Sequence, residues 1–390
     1  MNYIFILWFF IILLIILLIK QLNINKNFIL CMFFSIFIVL FVLNIQKCTL
    51  AAIDGCKLWY RAVIPVTFPF LVICNLLISY DGISLYSKIL GPLICKPLGL
   101  SQNCSFPIVA SFLCGYPLGA KYSIDLWSLG YINDSDCQRL LNIASNAGPL
   151  FLIGSVGSAL LGNPKLGYLL LIGNYISSIL IGIITKKKRI ISEISPYDST
   201  NQKKINFGQA IKDAVSNGIN ITLSIGGFIV IFSVVISLLK DNVYIKYIFM
   251  CIENLLNMKT GTLFSLFLGS IEMTNGCNLI SNLNISLPIK LGIISFLCSF
   301  SGLSVIAQIS SFMNNFKICY LKYIFLKLVQ GFFSFITTYF LISILPTTVT
   351  TSTFNLSYNI KPYVYFLPII ILTTLTLLLK VLYKLFFHTS

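Results

Sequence analysis

Charge is scarce in this chain. Only 10% of its 390 residues are charged and 57% are hydrophobic, whereas a soluble domain carries about 25% charged residues. So apolar a chain cannot hide its surface in water, and a soluble globular fold is excluded. Histidine is nearly missing. The single one, His388, stands close to the C-terminal end, which excludes histidine-based acid–base chemistry within the apolar segments. The twelve cysteines include no CxxC pair, so neither a disulfide framework nor a metal site is indicated. Walker, nucleophile-elbow and zinc signatures are all lacking. No enzyme is expected, and no cofactor.

What is present is a series of long apolar runs. The fold class expected is all-α: a polytopic membrane protein with about ten transmembrane segments of roughly 20 residues each. Two structural repeats with broken helices or re-entrant hairpins are expected within it. The first run, Ile4–Ile19, has no basic residue before it and no small-residue cleavage site after it, and reads as a retained anchor helix. The formal net charge is +16. Lysines in loops and at span ends account for it, setting topology and touching anionic lipid. Without a basic helix or an aromatic-basic module, nucleic acid is not an expected partner.

Five stretches follow from the order of features. Residues 1–50 hold two simple spans, Ile4–Ile19 and Phe28–Ile45. Residues 51–185 form a first repeat: a proline-bearing stretch Val63–Ser79, an amphipathic Ile83–Leu100, a broken Phe106–Ala120, an uncharged run Leu140–Leu161 and a span Leu166–Ile184. Residues 186–212 are a basic cytoplasmic linker that opens on Lys186-Lys187-Lys188-Arg189, the strongest positive-inside signal. Residues 213–345 form a second repeat: Ala214–Leu239 with Gly226-Gly227, an interfacial Tyr244–Leu256, a broken Leu263–Ile280, an uncharged Leu291–Phe316 and a span in Ile324–Leu345. Residues 346–390 hold a Thr-rich polar loop and a C-terminal transmembrane helix. The halves align at a spacing of about 155 residues, with an inverted arrangement preferred.

The candidate site residues come from polar chemistry within the apolar runs. Gly115, Tyr116, Pro117 and Gly119 offer close backbone approach and a pre-set helix start, and Lys121 would add a full charge for an anion. The first broken centre supplies Asn146 and Gly148; an amide there both donates and accepts. Ser301, Ser304 and Gln308 fall on one helix face in the second broken centre. All ten are expected to contact substrate. Glu272 is an acid within an apolar stretch, and intramembrane acids default to function. With Thr274 and Asn275 it is expected to couple or gate. Gly226-Gly227 reads as a kink, and Asp125, Asp134, Asp136 and Arg139 read as solvated connector charges.

Four blocks together resemble a known family. They are Phe112-Leu113-Cys114-Gly115-Tyr116-Pro117-Leu118-Gly119-Ala120-Lys121, Asn146-Ala147-Gly148-Pro149-Leu150-Phe151, Ile271-Glu272-Met273-Thr274-Asn275-Gly276 and Ser301-Gly302-Leu303-Ser304-Val305-Ile306-Ala307-Gln308. In this order they are similar to the sporulation integral membrane protein YlbJ family, also called stage V sporulation protein SpoVV. That family carries the nucleoside-recognition gate domain, and the resemblance implies two gate-like repeats. It also implies a mother-cell or outer forespore membrane in an endospore-forming bacterium, and dipicolinic acid as the anion exported toward the forespore.

The function expected is therefore transport of a small organic anion. The rivals are an ion-coupled nucleoside transporter and a non-transporting sporulation scaffold. The expected partners are the anion, membrane lipid and a coupling ion, H+ or Na+. Homo-oligomerisation stays open.

Overall fold

Lipid offers no partner to a backbone N–H or C=O, so a chain this apolar must satisfy its own backbone. It does so with helices; no strand occurs among the described residues. The computed structural model describes residues 25–186, 206–313, 316 and 319–344. The expected first span, most of the basic linker, and the polar loop and C-terminal helix lie outside them.

The first described helix, α1 (Lys26–Leu43), is capped by the Asn25 side chain. It is apolar on all sides, with Phe33 62% exposed, as a helix facing lipid should be. The expected second simple span is not a straight crossing. At Asn44 the chain turns by 98° into α2 (Ile45–Leu58). A π turn, Trp59–Val63, leads to α3 (Ile64–Ser79), which holds Pro69 inside it. A second bend of 95° follows, into the amphipathic α4 (Gly82–Leu98).

Interrupted helices come next, where the expected breaks lie. α5 (Ser105–Cys114) stops at Gly115 and α6 (Leu118–Ser128) restarts after Pro117. α7 (Asp134–Ile143) ends before Ser145, and a π-helical segment, Leu150–Leu160, resumes after Pro149. The half closes with α8 (Pro164–Ile184).

Beyond the linker, α9 (Phe207–Lys240) is one 34-residue helix. α10 (Val243–Leu255) is amphipathic, with Tyr244 82% exposed. α11 (Thr262–Ile271) and α12 (Met273–Ser281) are separated by an extended Glu272. α13 (Leu287–Phe300) and α14 (Gly302–Ser311) are separated by a left-handed Ser301. α15 (Tyr320–Ile344) completes the described chain.

Among the described residues four helical segments are long and apolar enough to cross a membrane, Pro164–Ile184, Phe207–Lys240, Leu287–Ser311 and Tyr320–Ile344. Counting each bent pair as one span gives up to six. The chain is an all-α integral membrane protein. The expected figure of about ten crossings exceeds what the described helices supply.

Hydroxyl groups help fasten the bundle core. Ser295 on α13 shares hydrogen bonds with Ser334 (2.6 Å) and Thr338 (2.7 Å) on α15. Small polar residues of this kind let membrane helices approach closely and bond across the contact.

One expectation is corrected. The connector charges are not simply solvated. Arg139 is buried and donates to the carbonyls of Leu98 (2.5 Å), Gly99 (2.9 Å) and Gly182 (3.1 Å). It thereby closes the C-terminal end of α4, where a cation is favoured by the helix dipole. Asp134 accepts from the Trp127 indole at 2.6 Å, and Asp136 from the Ser101 amide at 3.1 Å. Gly226-Gly227 lies inside one continuous helix. The indole of Trp59 lies against Gly226, donating to the Thr222 carbonyl at 3.0 Å.

A Cβ at Gly226 would sit 2.6 Å from the Trp59 ring, whereas at Gly227 nothing lies within 4 Å. Gly226→Val is therefore expected to destabilise by about 1–3 kcal/mol through overpacking. Gly227→Val should change little. Melting in detergent of the two variants side by side checks this.

Candidate functional site

The four interruptions lie next to one another. The Tyr116 amide donates to the Asn146 carbonyl at 2.7 Å, joining the first break to the second. A Cβ at Gly115 would lie 2.4 Å from the Gly148 nitrogen, so the two stretches touch backbone to backbone. Across the halves, the Tyr116 hydroxyl donates to the Met273 sulfur. Gly302 packs beside the carbonyls of Ile271 and Gly269, joining the third break to the fourth.

A cavity of about 660 Å³ opens beside these breaks. From the first half it is lined by Tyr116, Pro117, Gly148, Leu150 and Phe151. From the second it is lined by Glu272, Thr274, Asn275, Asn278, Ser304 and Gln308. Helices α2 and α9 contribute Asp54 and Lys240. Eight of the thirteen candidate residues therefore share one cavity wall: Tyr116, Pro117, Gly148, Glu272, Thr274, Asn275, Ser304 and Gln308.

The other five lie behind that wall. Gly115 and Gly119 are packed against the second break. Lys121 is buried and ion-paired with Asp125 one turn along α6, its ammonium 4.9 Å from the Tyr122 ring. Ser301 turns its hydroxyl to the Phe300 carbonyl at 2.5 Å. Asn146 is wholly buried: its amide donates to the Ile143 carbonyl (2.6 Å), and its oxygen accepts from Gln330 (2.9 Å).

The helix starts at the cavity differ in one respect. Glu272 caps α12, accepting from the amides of Thr274 (3.0 Å) and Asn275 (2.9 Å) and from the Asn275 side chain (2.9 Å). A carboxylate in that position meets both the free N–H groups and the positive dipole end. The starts of α6, of the π-helical segment and of α14 have no side-chain cap. Their first-turn residues, or the residue just before them, line the cavity: Pro117, Leu150, Phe151 and Ser304.

The sequence reading missed Lys327 and Gln330. Both sit fully buried in the middle of α15, which reads as a plain span. The Lys327 ammonium donates to the Ser145 carbonyl, to Gln330 Oε1 at 2.8 Å and to the Ser299 carbonyl at 3.5 Å. A signal was available, since a lysine and a glutamine at i and i+3 within an apolar run share one helix face. Asn174 was missed in the same way; its Oδ1 accepts from Ser299 Oγ at 3.0 Å.

Gly115 has φ +85° and no room for a Cβ. Gly115→Ala combines a left-handed backbone penalty with a clash against backbone, and should destabilise by at least about 2 kcal/mol. A fall in melting temperature in detergent, with membrane insertion retained, is the expected readout.

Residues 61–135 match the Gate family model, described as nucleoside recognition. The chain is 25% identical over 335 residues to the sporulation integral membrane protein YlbJ of Bacillus subtilis (strain 168). That match covers 80% of this chain and 82% of the relative. It bears out the resemblance carried by the four blocks. No solved structure matches the chain.

Proposed function

We propose that the chain transports a small organic anion, bound in the cavity between the interrupted helices. The observation that carries this reading is the convergence of three uncapped helix starts, at Leu118, Leu150 and Gly302, on one cavity. Each start leaves first-turn N–H groups without an intrahelical acceptor, and the aligned peptide dipoles add partial positive charge there. Discontinuous helices present such ends to anionic groups in known transporter folds. Recognition of this kind needs no lysine in the cavity wall, so the pairing of Lys121 with Asp125 does not count against it.

The volume, about 660 Å³, suits a ligand of one or two rings. Similarity to a sporulation integral membrane protein supports endospore formation as the setting, and the mother-cell or outer forespore membrane is the location this reading takes. Dipicolinate is the candidate solute. It is a planar dianion whose two carboxylates flank the ring nitrogen, so that its anionic edge could address converging helix starts. Glu272 is the coupling or gating group in this reading. Protonating it would weaken the acceptor that closes the start of α12, and so alter the cavity wall.

A second reading, nucleoside transport, rests on the Gate match. Side-chain amides of Asn275, Asn278 and Gln308 and the ring of Phe151 line the same cavity, and amides suit the edge of a base.

Uptake of labelled dipicolinate and of labelled uridine into vesicles containing the purified protein separates the two. Saturable dipicolinate uptake is expected. Gln308→Leu should lower it about tenfold at limiting solute, the equivalent of one lost polar contact, without a matching fall in melting temperature. Uridine uptake alone would assign the second reading, and movement of neither solute would remove both.

A further inference from the structure

Lys327 is 0% exposed, and among the described residues it has no ion-pair partner. A buried charge without a counter-charge is retained only where fixed dipoles replace both water and the missing ion. Three oxygens do so here: the Ser145 carbonyl, the Ser299 carbonyl and the Gln330 amide oxygen. An ammonium has three donors, and all three are used.

The two carbonyls have a common origin. Ser145 lies just past the end of α7, and Ser299 lies in the last turn of α13. Both helices stop at a break: the Ser299 carbonyl belongs to the set a helix end leaves without intrahelical donors, and the Ser145 carbonyl belongs to the non-helical stretch that follows α7. Ser299 also carries the negative end of the α13 dipole. The third oxygen is held in position, because Gln330 donates its own amide to Asn146 at the second break at 2.9 Å.

Main-chain carbonyls of interrupted helices together with an amide oxygen make the acceptor set a hard monovalent cation takes. We infer that the space between the two breaks is a monovalent-cation site filled by the tethered Lys327 ammonium, so that the chain takes no dissociable sodium or potassium ion there. The tethered charge holds the break after α7 against the break after α13. This holds whichever solute the cavity carries.

The test is melting of the purified full chain in detergent, in choline chloride and then with sodium, methylammonium or tetramethylammonium at equal ionic strength. The wild type should shift by less than about 1 °C between these salts. Lys327→Ala should melt about 5 °C lower in choline, because two buried carbonyls lose their donor. Methylammonium at about 100 mM should recover at least half of that loss through binding to the folded state. Tetramethylammonium, which has no N–H, should recover none. Lys327→Met keeps the volume without the charge; it should melt low and stay unresponsive to methylammonium.

Wild-type stability in Lys327→Met would overturn the inference. So would recovery of Lys327→Ala by both ammonium salts alike, or a sodium-dependent rise in the wild type that survives in Glu272→Gln, which removes the proposed coupling group. The wild-type and Glu272→Gln series decide even if neither Lys327 variant folds. Solute uptake is not read, so the outcome is independent of the transport reading.

Discussion

Each interruption of a helix frees backbone donors on one side and backbone acceptors on the other, and lipid satisfies neither. The four breaks solve this by lying against one another. The amide of Tyr116 donates across to the carbonyl of Asn146, and Gly302 packs on the end of α11. Lys327 closes the distance between the Ser145 and Ser299 carbonyls. The contacts among α8, α13 and α15, including the hydroxyl cluster of Ser295, Ser334 and Thr338, keep that lysine where both carbonyls can reach it.

The two polarities of the breaks are treated differently. At the breaks after α7 and α13 the acceptor side is closed by a cation carried on the chain itself. On the donor side, only the start of α12 has a side-chain cap, Glu272, while the Leu118 amide donates to the Gly115 carbonyl at 3.2 Å. The starts at Leu118, Leu150 and Gly302 carry no side-chain cap and stand at the cavity. The end of α13 and the stretch after α7 thus face a buried ammonium, and three positive ends stand at the space a solute would enter. That division is what the proposed anion site rests on, since it offers positive helix ends to the cavity.

Much of this was legible in the chain. Glycine and proline at Gly115-Tyr116-Pro117, an amide and proline at Asn146-Ala147-Gly148-Pro149, and serine with glycine at Ser301-Gly302 mark where apolar runs stop being helical. Glu272 was legible as an unusual acid, though not as the cap of α12. Lys121 misled, because its neighbour at i+4, Asp125, supplies a partner that spacing alone left unweighed. The bends at Asn44 and after Ser79 were also hidden, since a run of apolar residues reads the same whether straight or turned.

Local composition therefore determined that the chain enters a membrane as helices, and where those helices are interrupted, because backbone preference at glycine, proline and left-handed positions acts within a few residues. Only the tertiary structure decided which freed groups face the cavity and which are sealed. Lys327 meets Ser145 from 182 positions away, and Gln330 meets Asn146 from 184. No local rule relates residues so far apart. Their pairing is selected by the demand that every buried polar group find a partner, and that demand is met only once the helices have packed.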